Sequence, residues 1–177
     1  MTATQIEAID QKELKVIRLW LLLFVGVLVI SGITAVPLEW ELSLLDSWLG
    51  TGSRISKLLP EFSAWITRIH EGLATTNATY PFMAYGTDWL AFAHIAIAIA
   101  FWGPIKDPVR NIWVIEFGLI CSALIIPFAL IFGPFRGIPL LWRLVDCSFG
   151  LIAFPMLWYI RKKIQALALA GQENDAR

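Results

Sequence analysis

The sequence predicts an all-α membrane protein: four transmembrane helices, with an extracytoplasmic amphipathic helix between the first and second. Three observations carry that expectation. Hydrophobic residues make up 58% of the 177-residue chain and charged residues only 16%, against about 25% charged in soluble domains. Four stretches are long and apolar enough to cross about 30 Å of hydrocarbon, which takes about 20 helical residues. Lysine and arginine gather beside alternate ends of those stretches, as the positive-inside rule requires.

The first span is residues 19–37, which contain no charged residue. The eighteen residues before it mix Glu7, Asp10 and Glu13 with Lys12, Lys15 and Arg18. A cleaved leader has a basic start and a shorter apolar core, so the span is expected to be retained. Residues 88–105 and 112–132 form the second and third spans. The fourth, 139–160, reaches membrane length only by carrying Arg143 and Asp146 into the bilayer. A single bundle accommodates the whole chain.

With four spans both termini share a side, which collects Lys12, Lys15, Arg18, Lys106, Arg110, Arg161, Lys162 and Lys163. That side is expected to be cytoplasmic, in a plasma or inner membrane, or in the endoplasmic reticulum of a eukaryote. Trp20, Trp102, Trp113 and Trp158 mark the inner span ends, and Trp40, Trp89 and Trp142 the outer ones, matching the preference of Trp for interfaces.

The connections are unequal. "PIKDPVRN" and "GPFRGIP" are tight turns, whereas residues 38–87 form a long extracytoplasmic loop. Within it Ile55, Leu58, Leu59, Phe62, Trp65, Ile66, Ile69 and Leu73 recur at helical spacing. Pro60 is placed to open the main turn of that helix, which lies on the membrane or caps the bundle. Asn77 begins an "NAT" glycosylation acceptor that matters only in a eukaryotic secretory setting.

Helical phase identifies the inward polar residues. On span two Phe92, Ile95 and Ile99 form a bulky side suited to lipid, and Ala93, Ala96, Ala100 and Gly103 a small-residue stripe. His94 projects with Ala91, Ala98 and Phe101, away from the bulky side. On span four Arg143, Asp146, Gly150 and Ala153 share one face, with Leu144, Leu151 and Ile152 opposite. His94 is about 9 Å along its helix from Asp88. His94, Arg143 and Asp146 are therefore expected at one depth, facing inward, with Arg143 and Asp146 close enough to pair.

Such a cluster is either interhelical glue or a site at the outer mouth, and Asp88, His94, Arg143 and Asp146 are the candidate ligand-binding residues. Glu116 belongs to the opposite end, paired with Arg18, Arg110 or Arg161. Cys121 and Cys147 lack metal-type spacing and read as buried free thiols.

These features support a protein that binds a lipid or other lipophilic small molecule in an outer-half cavity. The alternatives are a membrane enzyme using His94 as acid or base with Asp146 orienting it, and an accessory subunit or homo-oligomer within a membrane complex. No metal or cofactor is expected, haem b on His94 and His70 being the one alternative. Zero net charge gives no electrostatic case for nucleic acid, and no P-loop, GxGxxG, HExxH or GxSxG motif occurs.

Four spans, cytoplasmic termini and a long first extracytoplasmic loop together resemble the emopamil-binding and sigma-2-receptor (EXPERA) group. "ALIIPFAL" around Pro127 and "LVDCSFGLIAFP" ending at Pro155 are similar to that group's third and fourth helices. The resemblance implies a lateral, sterol-like binding cavity, with an isomerase among the relatives. The isomerase's acid and histidine do not map onto Glu116 or His94, so no catalytic residue is carried over.

Overall fold

The computed structural model describes the backbone of residues 3–175 and the side chains of 11–172. Seven α-helices follow one another there: α1 (Ala3–Thr34), α2 (Leu38–Leu49), α3 (Pro60–Thr79), α4 (Tyr85–Ala100), α5 (Trp102–Lys106), α6 (Ile112–Phe135) and α7 (Leu140–Asp175), with no strand among the described residues. Four stretches are long and apolar enough to cross a membrane: Gln11–Thr34, Pro81–Lys106, Ile112–Phe135 and Leu140–Gln172. Only 17–28% of the most apolar part of each is buried within the protein. Most of that apolar surface faces outward, the reverse of a water-soluble bundle, and the arrangement is compatible with a multi-pass integral membrane protein.

Several boundaries differ from the expected ones for local reasons. The second span begins earlier and breaks at Phe101, because Pro104 has no N–H for the Ala100 carbonyl and its ring crowds that oxygen. The fourth helix does not stop at residue 160 but continues to Asp175, since "IQALALA" after the lysines is strongly helix-forming. The largest difference is α2, which occupies a part of the long loop to which the sequence reading assigned no element. Glu39 and Glu41 sit in its first turn, where carboxylates favour the positive end of the helix dipole. Helix α3 starts at Pro60 as its sequence indicates.

The chain divides into two compact units, one comprising residues up to Val27, Ile97–Phe128 and from Asp146, the other Leu28–Ala96 and Ala129–Val145. The core of the first unit is Ile17 and Leu21 of α1, Phe101 just before α5, the α6 residues Val114, Ile115 and Leu119, and Leu157, Ile160 and Ile164 of α7. Phe24 packs on Phe101 with ring centroids 4.8 Å apart. Gly150 brings α7 so close to α6 that a Cβ there would strike the Ser122 carbonyl, the close approach that small residues permit in membrane bundles. Arg161 reaches Glu116 at 2.9 Å, and Arg18 donates to the carbonyls of Ile105 and Lys106, closing the end of α5.

Cys147 is buried but Cys121 is exposed, which corrects the expectation of two buried thiols. Helix α6 is apolar on every side, so periodicity could not separate its lipid-facing residues from its core. On the second span the expected inward face is buried at Ala91, Ala98 and Phe101, while Ala93, Ala96 and Ala100 of the small-residue stripe are exposed.

In the second unit α2 packs on α3. Leu42, Ile66 and Ser63 are buried between them, and Phe62 of α3 lies against Trp142 at 5.9 Å. The turn from α2 to α3 contains Gly52 at φ +93°, a left-handed conformation that glycine adopts without steric cost.

Candidate functional site

The polar chemistry of the second unit is concentrated on the α2–α3 hairpin. Asp46, near the end of α2, has both carboxylate oxygens engaged. Thr67 Oγ1 donates to Oδ1 at 2.6 Å, and His70 Nδ1 lies 3.0 Å from Oδ2. Thr67 also accepts the Thr51 backbone N–H at 2.9 Å. Its single hydroxyl proton is committed to Asp46, so in the 3.1 Å contact between the two threonine hydroxyls Thr51 is the donor. The Thr67 hydroxyl bond, aided by His70 and opposed by burial, holds the Asp46 carboxyl below its usual range. An ionised Asp46 requires a proton on His70 Nδ1, which leaves the lone pair of a neutral ring on Nε2. A Cβ at residue 50 would overlap the Asp46 carboxylate, so Gly50 leaves room for this arrangement.

Beside this network, the same hairpin borders a cavity of about 470 Å³. Six of its ten lining residues are apolar, Trp40 and Leu73 among them, and the other four are Glu39, Ser43, Asn77 and Thr87. Asn77 Nδ2 donates to Glu39 Oε2 at 2.6 Å. An ionised carboxylate only accepts, so this bond fixes the amide with Oδ1 pointing the other way. Asn77 Oδ1 is buried and has no hydrogen-bond partner. A buried acceptor without a donor costs about 1–3 kcal/mol.

No protein-family model, curated protein or solved structure matches this chain. The site is therefore read from its geometry.

The residues that the sequence singled out are distributed as follows. Asp88 is exposed in the first turn of α4. His94 is half-buried, its Nδ1 donating to Leu90 O of its own helix at 2.8 Å. Its Cβ lies against Gly32 of α1, where an added methyl would come within 2.9 Å of it. Arg143 is half-buried with its stem packed over Gly133, and its Nε is buried without a partner. These three belong to the second unit and Asp146 to the first. The ion pairs among the described residues are His70–Asp46, Arg161–Glu116 and Lys163–Glu13, so Arg143 and Asp146 take part in none. The arginine stem packs on Gly133 of α6. Neither Asp88, His94, Arg143 nor Asp146 lines the cavity. Of the two histidines weighed as haem ligands, His70 is bonded to Asp46 and His94 to its own helix.

Sequence reasoning missed Glu39, Asp46 and Thr67, and met Asn77 only as a glycosylation acceptor. The signal for the first two was present, since Leu38, Leu42, Leu45 and Leu49 recur at helical spacing through "LEWELSLLDSWL". That period places Glu39, Leu42 and Asp46 toward one side. Asn77 and Thr67 share a face of α3 with Ser63 and His70, a polar row inside an otherwise apolar pattern.

Proposed function

We propose that this protein is an integral membrane protein that binds a lipophilic small molecule in the cavity beside α2, α3 and α4. The observation that carries this reading is the cavity itself, whose lining sets the Glu39 carboxylate, held by the Asn77 amide, beside six apolar residues. The cavity volume falls within the range of about 300–1,000 Å³ usual for small-molecule sites. The Glu39 carboxylate, an acceptor when ionised, favours a ligand with a hydrogen-bond donor, a hydroxyl or amine, on an apolar body. The resemblance of the third and fourth spans to the EXPERA group points to the same ligand class. Basic residues beside the chain termini and the α5–α6 turn support cytoplasmic termini, which puts the hairpin and its cavity on the opposite side of the membrane.

The test is organic extraction of the purified protein followed by mass spectrometry. The expected result is a donor-bearing lipophile at about one molecule per chain. An extract matching the bulk lipid profile of an unrelated membrane protein purified in parallel would overturn the proposal.

A further inference from the structure

Helix α2 carries an exposed stripe that meets the cavity only at Trp40. Trp40, Leu44 and Trp48 follow one another at i, i+4 and i+8, and are 63%, 38% and 72% exposed. The opposite side of the same helix, at Leu42 and Asp46, is committed to α3. Helix α3 presents the contrary outward face: Glu61, Ala64, Arg68, Glu71 and Thr75 are exposed there, four of the five polar or charged. Of the two hairpin helices, α3 is dressed for water and α2 is not.

The covering partner is indicated by what α2 is attached to. Helix α1, one of the four membrane-length stretches, ends at Thr34, and α2 begins at Leu38. The three residues between them span at most about 10 Å, so α2 starts where that stretch leaves the hydrocarbon. Exposed apolar residues continue through the junction at spacings of three or four, from Ile30 and Ile33 of α1 through Val36 to Trp40, Leu44 and Trp48. The surface that α1 offers to lipid thus runs on into the stripe. Tryptophan suits that location, since its ring is apolar and its N–H finds partners at the headgroups. The charges of α2 are Glu39, Glu41 and Asp46, with no lysine or arginine. An interfacial helix with only acidic residues is repelled by anionic headgroups, so a zwitterionic phospholipid surface fits it.

We propose that α2 lies in the membrane interface, with Trp40, Leu44 and Trp48 immersed among zwitterionic phospholipids, while α3 rests on its other side and faces water. This goes beyond ligand binding and rests on the reading that α1 spans the bilayer. The test uses spin labels in a Cys121→Ser, Cys147→Ala chain reconstituted into phosphatidylcholine vesicles. Labels are placed by Leu44→Cys, Trp48→Cys, Ile30→Cys and Arg68→Cys, all at exposed positions that leave packing intact. Collision with dissolved oxygen reports lipid, and collision with a nickel chelate reports water. At 44 and 48, as at 30, oxygen accessibility should exceed nickel accessibility several-fold, with the order reversed at 68. Nickel accessibility at 44 and 48 equal to that at 68, with 30 still reading as lipid, would overturn the assignment of α2 alone. Protection of 44 and 48 from both reagents would also overturn it, by revealing a covering protein surface such as a second copy. Water-like behaviour at 30 as well would remove the membrane reading and this inference together.

Discussion

Replacing Thr67 with valine should loosen the α2–α3 hairpin, and should do so in a pH-dependent way that can be worked out beforehand. Valine keeps the shape of threonine and removes only the hydroxyl. Two interactions go with it: the 2.6 Å donation to Asp46 and the acceptance of the Thr51 N–H. A hydrogen bond to a charged group contributes about 1.5–3 kcal/mol. Asp46 keeps 22% of its side-chain surface exposed, and Thr51 is exposed, so water recovers part of both losses. A cost of about 1–2 kcal/mol follows, which for a chain of this size lowers Tm by about 3–6 °C. The pH dependence follows from Asp46, whose carboxyl is held below its ordinary value of 3.8, chiefly by this hydroxyl. A carboxyl depressed in the folded state contributes stability above its unfolded pKa and loses it as pH falls through the folded one. The gap between the parent and Thr67→Val should therefore be full at pH 6–7 and shrink on acidification below about pH 4. Thermal unfolding of both proteins in one mild detergent, from neutral to acid pH, reads this directly. Equal Tm values at neutral pH, or a gap that widens on acidification, would refute the reasoning.

Three further outcomes test the packing and the orientation. Gly150→Ala should cost about 1–3 kcal/mol, because the obstacle is the Ser122 backbone carbonyl. Gly133→Ala meets only the flexible Arg143 stem and should melt closer to the parent. Gly32→Leu should push α1 from α4 at His94 and Ala91, visible as a lower Tm and faster hydrogen exchange in residues 85–100. In intact cells, an impermeant thiol reagent should label Ser53→Cys and not Gln172→Cys, each in a chain without Cys121 and Cys147. The reverse pattern would invert the proposed orientation.

The membrane-length helices were legible in the sequence because a bilayer demands long uncharged runs, and such runs are hard to mistake. Their ends were less legible, since helix-forming residues after Arg161 carry α7 well past the charges that limit its apolar stretch. The start of α3 followed from Pro60, but α2 was overlooked beside the more obvious periodicity of α3. The inward residues of span two were found by phase alone: Ala91, Ala98 and Phe101 are buried as expected. Phase gives a direction and not a partner, however. It could not show that His94 turns back to Leu90, or that Arg143 packs on Gly133. The cavity was illegible for the same reason, because Glu39 and Asn77 are 38 residues apart in the chain and meet only once the hairpin closes.

The central claim is that a lipophile occupies the cavity bordered by Glu39 and Asn77. Ligand occupancy in Leu73→Trp, compared with His94→Ala, tests it most directly. Leu73 lines the cavity and His94 does not, so a tryptophan at 73 fills the space that the ligand needs. Occupancy is measured by quantitative mass spectrometry of material that melts as a folded protein. Loss of the lipophile in Leu73→Trp, with retention in His94→Ala, is the predicted result. Retention in Leu73→Trp with loss in a folded His94→Ala would contradict the account and move the site to the polar residues of the spans.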